Sequence, residues 1–157
     1  MIEDNKFKKK HLKSIYYSYI KTKYFSAIFP KIEEILIEDI MNLSQLNKII
    51  ILKICKMLNL RTEFINAQDL KSTGKKKELL SNICLELGAK EYISVPGSKD
   101  YMGGNDEFEN KKIKVNIFEF KQKKYKRGKN EFIPNLSILD LLFYNGLDTK
   151  KLIINEK

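Results

Sequence analysis

A chain of 157 residues, 43% of them hydrophobic, is long enough for one domain with a real core and is too apolar to be disordered. Its formal charge of +10 comes almost wholly from lysine, with arginine only at Arg61 and Arg127. Lysine is spread along the whole chain beside abundant isoleucine and asparagine, so the charge reads as compositional bias and specific nucleic-acid recognition is not expected.

No apolar run approaches the roughly 20 residues of a membrane-spanning helix. The opening MIEDNKFKKK lacks the apolar stretch of a secretory signal. A cytoplasmic protein is expected, with Cys55 and Cys84 reduced and packed as small hydrophobes. Two distant cysteines and one histidine are too few for a metal site, and no cofactor is indicated.

Residues 1–9 read as a basic tail. Leu12, Ile15, Tyr16, Tyr19 and Ile20 recur at helical spacing, which predicts a helix starting near Lys10. A second helix is predicted from Pro30 to Met41, because proline suits a first helical turn. Asn42 and Ser44 mark the start of a third, running to about Leu58. That helix is apolar over much of its circumference, which predicts burial on more than one side.

The alternating segment Arg61–Asn66 predicts a short strand. A helix is predicted from Lys75 or Lys76 to Leu87, closed by Gly88. A strand follows at Glu91–Val95, then a Pro-Gly-Ser-Lys-Asp-Tyr loop and a turn or short helix over 105–110. Another strand is predicted at Ile113–Phe120, and a last helix from Leu136 or Ser137 to just before Gly146. Strands joined by helical crossovers run parallel. The expected fold is therefore α/β: N-terminal helices, then a small three-stranded, mainly parallel sheet flanked by helices. One domain is expected over 1–157.

The candidate functional residues concentrate after the second of these strands. Open α/β sheets place ligands beyond the carboxyl ends of their strands. Pro96, Gly97, Ser98, Lys99 and Asp100 stand there, and their backbone amides suit an anion. The alternative is a plain turn with Asp100 as a cap. Ser94 is a ligand contact or a small strand residue. Tyr101 stacks on a sugar or a base, or is a half-buried core tyrosine. Lys75, at a lysine-rich helix start, suits an anion, although the full P-loop pattern is absent.

Asp140 is a charge in the apolar run Ile138–Phe143, and a buried carboxylate needs a partner. It is a candidate ligand or catalytic group, or a residue on the wet side of its helix. Asn135 and Ser137 are expected to cap that helix. His11 beside a lysine cluster reads as a surface helix residue. The aromatic set from Tyr16 to Phe29 reads as packing.

The segments KKKHLKSIYYSYIKTKYFSAIFPKIEEIL, GKKKELLSNICLELGAKEYISVPGSKDYM and EFIPNLSILDLLFYNG, in this order, resemble the WbqC-like family. The most specific portions are LGAKEYIS-x-PGSKDY and FIPNLSILDLLF. The family pattern opens with a His-Gln-Pro segment that this chain lacks, so an N-terminally truncated form is expected. Val95 stands where the family has glycine, and Gln122-Lys-Lys-Tyr125 where it has His-Pro before tyrosine.

The resemblance implies a role in bacterial surface polysaccharide (O-antigen, lipopolysaccharide) biosynthesis, as a transferase acting on an activated sugar. The residues read above as candidates are, for catalysis, Lys99, Asp100 and Asp140, and, for ligand contact, Lys75, Ser94, Pro96, Gly97, Ser98, Tyr101 and Asn135. The partner is then a nucleotide sugar or other activated small molecule. The other reading is a non-catalytic fragment or binding subunit that completes a split α/β enzyme, as a homodimer or with a missing N-terminal half.

Overall fold

The computed structural model describes residues 6–38, 40, 42–98 and 106–154. The chain divides into two compact units, residues 1–62 with 122–157, and residues 63–121.

The first unit is helical. Helix α1 spans Lys6–Tyr19, α2 Phe25–Ile37 and α3 Leu43–Met57. Two further helices, which we number α6 and α7, span Ile138–Asn145 and Thr149–Ile153. Ile28, Ile32 and Ile35 of α2, Ile54 of α3, Leu58, and Leu142 and Phe143 of α6 form its core. Asn42 caps α3 as expected, its side chain accepting from Ser44 N–H at 2.8 Å and Gln45 N–H at 3.3 Å.

Two helix starts fall earlier than the sequence suggested. Helix α1 begins at Lys6, four residues ahead of Lys10. Helix α2 begins at Phe25, so Pro30 lies inside it. Packing explains the second shift: Phe25, Ile28, Phe29 and Ile32 all join one core, which outweighs the hydrogen bond that a proline nitrogen cannot make. Helix α3 buries one side only, since Leu46 and Ile54 are buried whereas Ile51 is 51% exposed.

The second unit places α4 (Lys76–Glu86) and α5 (Asp106–Glu109) against a pair of strands, β1 (Glu91–Ser94) and β2 (Lys114–Ile117). The strands are parallel, with Glu91 opposite Lys114 and Ser94 opposite Ile117. Cys84, Phe108 and Ile113 are its buried core, and Tyr92 stacks on Phe108 with ring centroids 4.9 Å apart. Gly88 ends α4 with φ +65°, the left-handed value a glycine C-cap supplies. Both cysteines are free thiols, and burial raises the pKa of Cys84.

The sheet has two strands among the described residues, not the three expected. Residues 61–66 alternate in polarity but pair with no strand, and Phe64 and Ile65 are 45% and 50% exposed. Alternation makes a strand only where a neighbouring edge satisfies the backbone. Strand β2 stops at Ile117 instead of reaching Phe120. Among the described residues no helix is long and apolar enough to cross a membrane.

Candidate functional site

Strands β1 and β2 end side by side, and the chain leaves β1 through a 3-10 turn over Pro96–Ser98. The Ser94 carbonyl accepts from Phe118 N–H at 2.7 Å, which ties the two strand ends together. Ser98 Oγ donates to the Val95 carbonyl at 2.6 Å, and Ser98 N–H donates to the same oxygen at 3.0 Å. The Ser94 hydroxyl lies 2.5 Å from Ser98 Oγ. With the Ser98 proton committed to Val95, Ser94 is the donor of that contact.

Both serines are buried, at 5% and 4% exposure. Their hydroxyls therefore brace the turn from inside, while Pro96 and Gly97 face outward. Among the described residues, a Cβ at Gly97 would meet nothing within 4 Å. Lys99, Asp100 and Tyr101, which continue this turn in sequence, lie outside the described residues.

Lys75 also belongs to the second unit, at the N-cap of α4. Its backbone N–H donates to Glu78 Oε2 at 3.4 Å, so the chain's own carboxylate sits at this helix start, where the helix dipole favours a negative charge. Lys77 pairs with Asp106 at 2.6 Å. Gly74 makes this closure, with φ +124° and the Glu78 side chain only 3.0 Å from where a Cβ would stand.

Asp140 and Asn135 belong to the first unit. Asp140, in the first turn of α6, is fully buried. Its Oδ2 accepts from Tyr125 Oη at 2.6 Å and from Arg127 Nε at 2.9 Å, and its Oδ1 accepts from Arg127 Nη2 at 3.0 Å. Tyr19, whose ring stacks on Phe143 with centroids 4.4 Å apart, feels the charge of the same carboxylate. The guanidinium grips the carboxylate with two nitrogens, donates through Nη1 to the Glu131 carbonyl at 3.0 Å, and lies over the Tyr144 ring at 5.4 Å.

Burial first, and then the Asp140 charge, push the Tyr19 phenol pKa up to about 12. Burial and the hydrogen bond to Asp140 raise that of Tyr125 as well. Pairing with Asp140 raises that of Arg127. The group is a closed clamp: it fastens the 122–135 segment to α6.

Asn135 is not a helix cap, contrary to expectation. It takes φ +60°, and its N–H donates to Gln122 Oε1 at 2.6 Å. Ser137 alone caps α6, accepting from Leu139 N–H at 3.3 Å.

Sequence reasoning picked out Asp140 and missed Tyr19, Tyr125 and Arg127. A signal for Arg127 existed. In a chain that uses lysine almost everywhere, a retained arginine points to a site that needs a two-pronged donor. Among the described residues no group of three or more His, Cys, Asp or Glu side chains could hold a metal ion.

The chain is 32% identical over 152 residues to an uncharacterized protein of Mycobacterium tuberculosis. That similarity covers 94% of this chain and 64% of the mycobacterial protein. No solved structure matches the chain. The pattern of one family matches residues 1–152, nearly the whole sequence. The chain belongs to the WbqC-like protein family.

Proposed function

We propose that this protein acts in the making of bacterial surface polysaccharide, as a transferase working on an activated sugar such as a nucleotide sugar. The observation that carries the reading is the side-by-side ending of two parallel strands beneath an outward-facing Pro96–Gly97 turn. Ligands of open α/β sheets collect beyond such strand ends. The turn belongs to the PGSKDY segment on which the resemblance rests most specifically.

In this reading the Ser94–Ser98 brace fixes the turn, and its backbone meets the ligand. Lys99 pairs with a donor phosphate, Asp100 accepts a hydrogen bond from a sugar hydroxyl, and Tyr101 stacks on the sugar or base. Within the first unit, Asp140 holds Arg127 and the 122–135 segment. Lys75 lends positive charge to the second unit.

A thermal-shift series on the full chain with nucleotide sugars and nucleoside triphosphates tests this. A ligand of the folded state raises the melting temperature with concentration, by RT ln(1 + [L]/Kd) in stability. The expected result is a shift with a nucleotide sugar that Lys99→Ala removes. A shift untouched by Lys99→Ala, or none with any nucleotide sugar, rejects the site.

A further inference from the structure

From Lys6 to Ile32 the chain holds eight lysines and no aspartate or glutamate, although it has 20 acidic residues in all. Lysine is spread along the whole sequence, but this gap in acid is local. Glu3 and Asp4 stand ahead of it, against seven lysines from Lys6 to Lys23. Helix α1 lies inside the gap and carries five of the lysines.

The helix sorts its residues by side. Lys8 is buried and donates to the Glu38 carbonyl at 2.5 Å, while Ile15 and Tyr19 pack on the core. On another side, Lys6, Lys9, Lys10, Lys13, Tyr17 and Ile20 fall within about 100° of arc at 3.6 residues per turn, and all six are exposed. Lys9, Lys10 and Lys13 enter no ion pair among the described residues, whereas Lys53, Lys77, Lys111 and Lys114 each pair with a carboxylate.

Tyr17 is 67% exposed and is held edge-on by Tyr16, with ring centroids 5.4 Å apart. Tyr16 in turn packs on Phe25 and Phe29. Ile20 N–H continues the helix by donating to the Tyr16 carbonyl at 2.9 Å. The face is thus a straight stripe about 20 Å long, at 1.5 Å per residue, in which ammonium groups lead to an aromatic and an aliphatic side chain.

Those two chemistries together select the partner. Ammonium heads on flexible stems meet phosphates as point charges, without the fixed fork of a guanidinium. A tyrosine and an isoleucine held in water gain from an apolar medium beside those phosphates. The interface of a bilayer supplies it, and the phosphate backbone of a nucleic acid does not.

We propose that this face of α1 docks the protein on a membrane surface rich in anionic phospholipid. Lys9, Lys10 and Lys13 meet the headgroup phosphates, and Tyr17 and Ile20 reach the edge of the acyl region. The protein lies on the bilayer in this arrangement and does not cross it. The docking face uses no residue of the turn after β1 and does not rest on the sugar reading.

Flotation of the full chain with vesicles of phosphatidylcholine and phosphatidylglycerol, against phosphatidylcholine alone, tests this. Binding is expected only with the anionic lipid and should weaken as salt rises. A lysine near an anionic surface is worth about fivefold in affinity. Replacing Lys9, Lys10 and Lys13 together by glutamine should cost about a hundredfold by that measure. The melting temperature should hardly move, because glutamine matches lysine in helix propensity and these lysines enter no ion pair. The same three charges removed at Lys48, Lys90 and Lys129, all exposed and outside α1, should cost less than about tenfold. The chain has no tryptophan, so Tyr17→Trp gives it one indole, whose emission should shift to the blue on anionic vesicles.

Absence of binding to anionic vesicles overturns the proposal. So does an equal loss in the two triple variants, which would mean that net charge alone attracts the protein. An indole whose emission stays put while the protein floats with the vesicles overturns it as well. If duplex DNA or RNA binds more tightly than the vesicles and the Lys9, Lys10 and Lys13 variant removes that binding, the face belongs to nucleic acid and the proposal fails. Lys99→Ala should leave vesicle binding little changed, which separates failure here from failure of the sugar site.

Discussion

Asp140 shows how one residue can organise a unit. A carboxylate without solvent contact survives only with its charge matched and its oxygens bonded, and here Tyr125 and Arg127 supply both. Asp140→Asn keeps the shape and leaves Arg127 unmatched, so it should cost about 3 kcal/mol of stability, read from denaturant melts. The tyrosines add a pH signature. Folding raises the pKa of Tyr19 to about 12 and that of Tyr125 also upward, which favours the neutral hydroxyls in the folded state. Unfolded tyrosine ionises near 10, so their contribution is full below about pH 10 and is lost as pH rises through about 12. Melts at pH 9 and pH 11.5 should show this loss, and Tyr19→Phe should lessen it.

Elements in this chain begin and end where packing and backbone chemistry agree. Helix α6 starts on the Ser137 cap and stops at Gly146, whose φ of +59° and ψ of −138° suit glycine alone. A Cβ there would come within 2.7 Å of the Tyr24 ring, whose own backbone N–H donates to the Phe143 carbonyl. Gly146→Ala combines backbone strain with overpacking and should destabilise by about 2 to 4 kcal/mol in chemical denaturation. The sequence marked Gly146 and Gly88 as helix ends because glycine conformation is a local property. It misplaced the start of α2 because the pull of the core on Phe25 and Ile28 is not local.

At the scale of the molecule, the chain carries two separate cores, one centred on α2, α3 and α6, the other on Phe108 beneath β1 and β2. Phe108 is fully buried, and Phe108→Ala should cost about 3 to 5 kcal/mol. By hydrogen exchange, the loss of protection should be largest over 76–117 and smallest over α2 and α6. Equal loss across both units would show that they open as one.

What the sequence determined by itself is local. The Asn42 cap, the left-handed Gly88, the strand at Glu91–Ser94 and the helix after Ser137 each follow from side chains within a few residues. Tertiary structure alone decided the rest. Residues 61–66 have a strand's alternation and no partner edge. Asn135 has a cap's chemistry, but its turn is set by Gln122. Ser94 spends its proton on Ser98, and Ser98 spends its own on the Val95 carbonyl. Asp140 finds Tyr125 and Arg127, each more than ten positions away. The physical reason is the same each time. A hydrogen bond or a buried charge is settled by which groups meet in space, and local preference cannot say which of many distant partners arrives.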